Sequence, residues 1–386
     1  MFEEVPQYTP YKQDPTGAPT LRSFDEMLLV LDHILREGPP FYDRKRPTTA
    51  MGLVGTPINA ILNWPIATLS GHQFFLSPIV NAELKQVLDT WAKFLGTSES
   101  QACLGGWLSS EGREAIAQAG NDGKTNYTFE QLFQYPNASA PYLGYTSWDS
   151  YFVRKFQDGI RPVEAPDNGP LDPRYPDPTA VVTNACESAP LQVQSGVQLF
   201  DTFYLKNQPY SLTNMLNFSP LAHQFVNGTV YQAYLSALSY HRWHAPVSGR
   251  VLKIENVPGT YYSSNLYTGF FASNGSAPDP AAPNESQPYI SAVATRGIIY
   301  IQANNPKIGV MATVFIGMAE VSSCEFTVEE GDMLEKGDEI GMFHYGGSSH
   351  VMVFRPGVEL RFVNPGPWSI EAEENFPVRS ALAAVS

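Results

Sequence analysis

A proline-rich segment divides this chain of 386 residues into two parts with different hydrophobic patterns. Six prolines fall within 17 residues, at Pro162, Pro166, Pro170, Pro173, Pro176 and Pro178. Proline lacks the backbone N–H that a helix interior or a central strand requires, so this segment is predicted to connect two regions. The sequence therefore predicts one architecture before the prolines and another after them.

The part before the prolines has the periodicity of amphipathic helices. Ser23 and Glu26 match a capping box, and apolar residues then recur every three or four positions until Gly38. The segment 81–95 repeats this pattern, with leucines, Val87 and Trp91 on one face. Shorter helices are predicted over 109–119, 128–135 and 147–157, the last capped by Ser147.

From about residue 181 the pattern changes to short apolar or alternating runs separated by glycine, proline and asparagine, which is typical of strands and turns. The clearest runs are 249–257, 296–304, 308–317 and 350–354. The predicted fold class is therefore α+β. A helical region (1–140) precedes a helix and the connecting segment (141–180), and a β-rich, sandwich-like domain (181–386) follows.

Charge and hydropathy argue against several classes of binding partner. The chain carries 24 basic and 38 acidic residues, a formal charge of −14 that argues against nucleic acid and against docking on anionic lipid. No apolar run approaches the roughly 18–20 residues that span a bilayer, so stable membrane insertion is not expected. The N-terminus lacks the pattern of a signal peptide, which predicts a cytoplasmic protein.

Two motifs in the β-rich part could carry chemistry. Gly346-Gly347-Ser348-Ser349 lacks the second glycine of a hydrolase nucleophile elbow, and considered alone it is an ordinary glycine turn with exposed serines. His241 and His244 have a spacing that could bind a metal, but no acidic or cysteine cluster accompanies them, and in a strand they would point to opposite faces. Considered alone, they are a core and a surface histidine, and no metal is expected.

The order of the motifs changes these interpretations. The segments 150–162, 241–249, 257–259, 336–343 and 346–349 follow one another in this sequence. Together they resemble the phosphatidylserine decarboxylase family of pyruvoyl enzymes, and the resemblance covers about residues 147–362. It implies a carbon–carbon lyase that is made as a proenzyme and processes itself.

The resemblance also implies a role for individual residues. The Ser348 hydroxyl would attack the carbonyl of Gly347, and β-elimination followed by hydrolysis would convert Ser348 into a covalent pyruvoyl cofactor with loss of ammonia. The fragments 1–347 and 348–386 would stay associated. His244 matches the family's base for self-cleavage, and His241 matches the histidine of the decarboxylation step.

One segment departs from the family pattern. The family carries Ser-Pro-Ala-Asp-Gly, whose aspartate orients the base histidine, where this chain has Val-Thr-Asn-Ala-Cys-Glu-Ser over 182–188. Cys186 takes the position of the aspartate, and Glu187 follows it. Two readings of Glu187 stay open: the carboxylate partner of His244, or a glutamate on a solvated turn.

The substrate is inferred from the N-terminal region. Residues 14–96 resemble the extension of a soluble fungal branch of the family, which includes a tryptophan decarboxylase. The resemblance implies a small-molecule partner, an aromatic L-amino acid, with L-tryptophan to tryptamine and CO2 as the expected reaction. The alternatives are decarboxylation of phosphatidylserine to phosphatidylethanolamine, and a β-sandwich binding protein without activity. The oligomeric state and the substrate pocket are left open.

Overall fold

The computed structural model describes residues 1–41, 55–121, 123–170, 172–200, 210–265, 286–320, 323–345, 348–366 and 375–386. The helices of the first part are α1 Phe24–Ile34, α2 Pro57–Ile66, α3 Leu69–Leu76, α4 Pro78–Leu95, α5 Leu104–Trp107, α6 Ser110–Asn121, α7 Phe129–Leu132 and α8 Trp148–Phe152. Two helices follow among the strands, α9 Leu212–Met215 and α10 Gln287–Val293. Single 3-10 turns lie at Phe2–Glu4, Ser98–Cys103, Pro141–Gly144, Pro178–Ala180 and Pro220–Phe225.

The predicted helix starts are confirmed by their caps. The Ser23 hydroxyl accepts a hydrogen bond from Glu26 N at 3.1 Å, although the Glu26 carboxylate accepts from Arg22 N and so leaves the capping box half formed. Ser147 caps α8 with a complete box. The predictions for α1, α4 and α6 agree with the structure to within three residues at each end.

Helices α7 and α8 are shorter than predicted because the chain extends after each of them. Phe133 and Phe156 form an antiparallel bridge, and their rings stack at 4.9 Å. The hydrophobic pattern did not predict α2, because nine of its ten residues are buried and it has no polar face.

Thirteen strands lie in the described part of the second half: β1 Val181–Thr183, β2 Ala189–Ser195, β3 Thr229–Leu235, β4 Arg242–His244, β5 Gly249–Val257, β6 Arg296–Ala303, β7 Val310–Gly317, β8 Ser323–Phe326, β9 Met333–Leu334, β10 Glu339–His344, β11 Ser348–Phe354, β12 Leu360–Phe362 and β13 Ala381–Val385. The predicted strand over 249–257 coincides with β5. The other three predicted runs match β6, β7 and β11 to within two residues at each end.

The strands pair antiparallel in three sheets. The largest has the order β2-β3-β11-β7-β6-β5-β9, and the smaller sheets have the orders β4-β10-β8 and β1-β13-β12. Trp243 of β4 stacks on Phe315 of β7 at 3.8 Å, so the large sheet and the β4 sheet pack face to face. The predicted α+β fold with a sandwich-like β region is confirmed.

Each face of the large sheet is buried. One face packs on the two smaller sheets, and the other is covered by α9, α10 and the turn Pro220–Phe225. A separate core of the helical region extends into the β region and includes Tyr261, Ala319 and Tyr345. The helices therefore pack against the end of the sheet where β11 begins.

The proline-rich segment is a connection, as predicted. Among its described residues from 153 to 177, the backbone forms turns, bends and two isolated bridge pairings but no helix or regular strand. The boundaries at 140 and 180 stay a prediction.

Candidate active site

Ser348 is the first residue of β11, a central strand of the large sheet. It pairs with Leu235 of β3 and with Gly317 of β7, and its side chain is fully buried. Within the described residues, the Ser348 hydroxyl has no hydrogen-bond partner. A buried hydroxyl normally has one, so this exception points to a chemical role. Gly347, the other residue of the predicted cleavage site, lies outside the described residues.

Ser349 points to the opposite face of the sheet, as the alternation of a strand requires. Its hydroxyl accepts a hydrogen bond from Gln232 Nε2 at 3.3 Å. Gln232 in turn accepts from the Tyr210 hydroxyl at 2.6 Å. Ser349 therefore belongs to a buried polar network in which its oxygen is satisfied.

His350 was not singled out by the sequence analysis. It lies two residues after Ser348 on the same face of β11, opposite Ala233 and Phe315. Neither ring nitrogen has a hydrogen-bond partner in the part of the chain that the structure describes. Burial lowers the pKa of His350 to about 3, so the ring is neutral. The period of two along the predicted strand was the signal that could have found it.

His244, the predicted base, is buried at the end of β4 and hydrogen-bonded at both ring nitrogens. Nδ1 lies 2.9 Å from the Gly337 carbonyl oxygen, which can only accept, so Nδ1 carries the proton. Nε2 then accepts from the Tyr240 hydroxyl at 3.1 Å. Burial, together with the charge of Arg379, lowers the pKa of His244 to about 3. The ring is a neutral base with its lone pair on Nε2.

His241 has different neighbours from His244. It is fully buried, and its ring stacks on Phe152 at 4.0 Å. Phe152 also contacts Tyr345, with 5.9 Å between ring centroids. His241 therefore belongs to the aromatic cluster that surrounds the last described residue before Ser348.

Glu187 is buried rather than exposed on a turn. Its carboxylate binds Arg161 through both oxygens, with Nε to Oε2 at 3.0 Å, and Oε2 also accepts from Val378 N at 2.8 Å. The solvated-turn reading is therefore wrong. Among the described residues no hydrogen bond joins Glu187 to His244 directly, and the Nε2 of His244 is bonded to Tyr240 instead. Burial and then the negative charges of Glu339 and Glu187 raise the pKa of that tyrosine.

Tyr345 has an unusual backbone conformation just before the predicted cleavage site. Its φ is 48°, in the left-handed region that disfavours side chains. The ring packs edge-on against Trp91 of α4 and Trp148 of α8, with ring centroids 4.9 Å and 4.6 Å apart. Its hydroxyl donates to the Gly55 carbonyl. The helical region therefore holds a strained residue in place, as strain at a functional site requires.

The described residues contain no group of three or more His, Cys, Asp and Glu side chains that could hold a metal ion. Among the described helices, none combines the length and apolar character needed to cross a bilayer.

Comparison with known proteins agrees with the fold and the motifs. Two phosphatidylserine decarboxylase family profiles match this chain, one over residues 1–116 and the other over residues 148–370. Decarboxylase iboD of Amanita muscaria is 38% identical over 341 residues, which cover 86% of this chain and 91% of that protein. L-tryptophan decarboxylase of Psilocybe cubensis is 34% identical over 358 residues, covering 89% of this chain and 76% of that protein.

More distant relatives are named for the lipid reaction. Phosphatidylserine decarboxylase proenzyme 3 of Schizosaccharomyces pombe is 27% identical over 218 residues, covering 56% of this chain and 20% of that protein. The helical region with its β-sandwich and these matches define a carbon–carbon lyase that releases CO2. The chain belongs to the phosphatidylserine decarboxylase family, whose proenzymes use a pyruvoyl group.

Proposed function

We propose that this chain is a pyruvoyl-dependent decarboxylase of free aromatic L-amino acids that converts L-tryptophan to tryptamine and CO2. We also propose that it matures by cleaving itself between Gly347 and Ser348. The observation that carries the proposal is the buried hydroxyl of Ser348, which has no hydrogen-bond partner among the described residues and follows two glycines in the sequence at the start of a central strand. This hydroxyl fits the precursor of a pyruvoyl group.

Self-cleavage needs only groups of this chain and one water. The Ser348 oxygen attacks the Gly347 carbonyl carbon, the C–N bond breaks, and the hydroxyl proton moves by way of a base to the released amine. Elimination across Cα and Cβ of Ser348 then releases the Gly347 carboxylate. Hydrolysis of the remaining unsaturated amine uses one water and releases ammonia, which leaves the pyruvoyl group at the new terminus.

The histidine roles rest on the family pattern and are supported by the local geometry. His244 is neutral and its Nε2 can accept a proton, and in the intact chain Nε2 accepts a hydrogen bond from the Tyr240 hydroxyl. His241 is held by Phe152 in the cluster around Tyr345, where it could act on bound substrate during decarboxylation. Glu187 is assigned an indirect role: it holds Arg161, whose carbonyl accepts from Arg379, and Arg379 donates to the same Gly337 carbonyl that holds His244.

The pyruvoyl carbonyl supplies an electron sink when CO2 leaves the substrate. The residues of the chain would orient the substrate carboxylate, exclude water and return a proton to the reacting carbon. The buried aromatic cluster around Tyr345 provides a site from which water can be excluded.

Two observations favour a free amino acid over a phospholipid. Relatives with at least 34% identity over most of this chain include a protein named L-tryptophan decarboxylase, whereas the lipid decarboxylase above reaches 27% over about half of it. Helices α4 and α8 also place Trp91 and Trp148 against Tyr345, three residues before Ser348. Aromatic walls suit a small aromatic ligand.

Intact-mass measurement of the purified chain tests maturation first. We expect two fragments, residues 1–347 and 348–386, the smaller one lighter at its N-terminus by the conversion of serine to pyruvoyl. A chain that stays whole would contradict the proposal and leave the inert β-sandwich reading. CO2 release is then followed with L-tryptophan and, in parallel, with phosphatidylserine vesicles. Release from the amino acid alone is expected, and release from the lipid alone would establish the alternative reaction.

The cytoplasmic location and the association of the two fragments stay predictions. Fractionation of cells that express the chain tests the first. Size-exclusion chromatography of the cleaved protein tests the second and also measures its oligomeric state.

A further inference from the structure

A cavity of about 360 Å³ lies between helix α4 and the β region. Its wall includes Leu88 and Trp91 from α4, Tyr261, Glu320 and Tyr345. A volume of a few hundred cubic ångströms, apolar walls and a few polar groups are typical of small-molecule sites.

The cavity lies at the end of the strand pair that begins with Ser348. Ser348 of β11 pairs with Gly317 of β7 in an antiparallel arrangement. Tyr345 precedes Ser348 by three residues and Glu320 follows Gly317 by three, so both leave the sheet at the same end. Both residues then line the cavity. Ser348 is therefore three residues along the chain from one wall residue of the cavity, and its pairing partner Gly317 is three residues from another.

Glu320 has an oxygen without a partner. It is buried, and its Oε1 accepts hydrogen bonds from Ile58 N at 2.5 Å and from Asn59 N at 2.9 Å in the first turn of α2. Its Oε2 has no hydrogen-bond partner within the described residues. Burial raises the pKa of Glu320 to about 7. A buried carboxylate oxygen left unsatisfied is costly, and a ligand that donates to it would remove that cost.

The other charged residues of the cavity wall have partners of their own. Lys85 and Asp89 form an ion pair at 2.6 Å, and Asp149 lies 2.9 Å from His344 Nδ1. Arg296 donates to backbone carbonyls, including that of Met215 at 2.8 Å. Among these residues, Glu320 is the one with an acceptor still to be satisfied.

We propose that this cavity binds the side chain of the substrate, and that the Glu320 carboxyl turns its buried Oε2 toward the ligand to accept a hydrogen bond from an N–H of an aromatic ring. Trp91 and Tyr345 would contact the ring itself. The inference rests on the proposed function for the identity of the ligand as an aromatic amino acid, and it adds a specificity-determining residue. A site that accepts a ring N–H discriminates against an analogue that lacks one.

Binding measurements test this without any turnover. The probes are L-tryptophan and L-3-benzothienylalanine, in which sulfur replaces the ring N–H. Titration calorimetry is performed on Ser348→Ala, which keeps the chain intact, at about pH 8.5, where the Glu320 carboxyl with its pKa of about 7 is ionised. We expect tryptophan to bind about 10–100-fold more tightly than the sulfur analogue, since a hydrogen bond to a charged group has that effect.

The second variant adds Glu320→Gln, which keeps an oxygen for the α2 amides and replaces Oε2 by an NH2 group. We expect the preference for tryptophan to fall below about threefold. The matched control adds Glu130→Gln, the same change on a residue outside the cavity whose carboxylate is already paired with Arg113, and should keep the full preference. Melting temperatures within a few degrees of the parent would show that α2 remains folded.

Equal binding of the two probes to the parent, or a preference that survives Glu320→Gln, would overturn the inference. A preference that Glu320→Gln removes would support it, even for a chain that neither cleaves itself nor releases CO2. Failure of the proposed function would instead be detected by the intact-mass and CO2-release measurements.

Discussion

The buried polar groups on the two faces of strand β11 differ in their hydrogen bonding. On one face, the Ser349 hydroxyl is bonded to Gln232 and joins a network that reaches Tyr210. On the other face, the Ser348 hydroxyl and both nitrogens of His350 are buried without a hydrogen-bond partner among the described residues. Neighbouring residues of one strand therefore differ in whether hydrogen bonds compensate for the burial of their polar groups.

Uncompensated burial of a polar group costs about 1–3 kcal/mol. A stable fold keeps such groups chiefly where they serve function. The hydrogen bonds of the Ser349 face stabilise the fold. The reactive groups of the Ser348 face are buried without hydrogen-bond partners among the described residues. The comparison thus separates two adjacent serines that the sequence alone presents as equals.

The largest effect is expected from the two serines themselves. Ser348→Ala should abolish self-cleavage and decarboxylation, because the attacking oxygen is gone. Ser349→Ala should still process, since it loses only a hydrogen bond of the network. Intact mass and CO2 release measure both. Processing of Ser348→Ala, or its loss in Ser349→Ala, would reverse the assignment of the two faces.

Substitutions of His244 in β4 and of His241, the residue directly before β4, should affect maturation and turnover differently. His244→Ala is expected to slow self-cleavage by about 10²–10⁴-fold, the usual contribution of a general base. His241→Ala should mature but lose much of its turnover. Time courses of fragment formation and of CO2 release distinguish the two. Normal turnover in matured His241→Ala would refute its role in decarboxylation.

Tyr345→Phe tests whether the helical region assists the reactive face. The variant loses the hydrogen bond to the Gly55 carbonyl that helps hold a backbone φ of 48°. Self-cleavage should slow by about 2–10-fold, in line with a hydrogen bond of about 0.5–1.5 kcal/mol. Tyr210→Phe removes a hydroxyl from the Ser349 face and is the matched control. It should lose stability but process at the normal rate.

His350→Met should raise the free energy of unfolding by about 1–2 kcal/mol, because it replaces an unsatisfied imidazole with a flexible apolar side chain of similar size. We expect slower self-cleavage as well, since the variant removes a basic nitrogen from the Ser348 face. Denaturant titration and fragment formation provide the two readouts. A variant that is less stable but cleaves itself at the normal rate would show that His350 stabilises the fold and does not assist self-cleavage.

The last prediction concerns the pH dependence of the free energy of unfolding. His244 and His350 have pKa values lowered to about 3 in the folded chain, against an ordinary value near 6.5. Between these limits the unfolded chain binds protons that the folded chain does not, so stability falls as pH decreases below about 6.5. Each group contributes about 1.4 kcal/mol per pH unit. The slope in His350→Met should be smaller by about one proton.

Local patterns predicted much of this structure correctly. Ser23 and Ser147 cap helices, and the run 249–257 is strand β5, because caps and alternation act over a few residues. The α+β fold and the family followed from such patterns and from the order of the motifs. Helix α2 was missed because nine of its ten residues, including Asn59 and Asn63, are buried, and such a segment lacks the exposed polar face that an amphipathic pattern reveals.

The sequence by itself determined the chemistry available to this protein: a glycine-glycine-serine-serine motif, two histidines three residues apart and strands to hold them. Only the tertiary structure decided which groups meet. Glu187 binds Arg161, and Glu320 accepts from Ile58, a residue 262 positions away. Tyr345 is held by the tryptophans of two helices. Contacts of this kind depend on how the sheet and helices pack, which no local pattern encodes, and burial then decides which polar groups stay unpartnered.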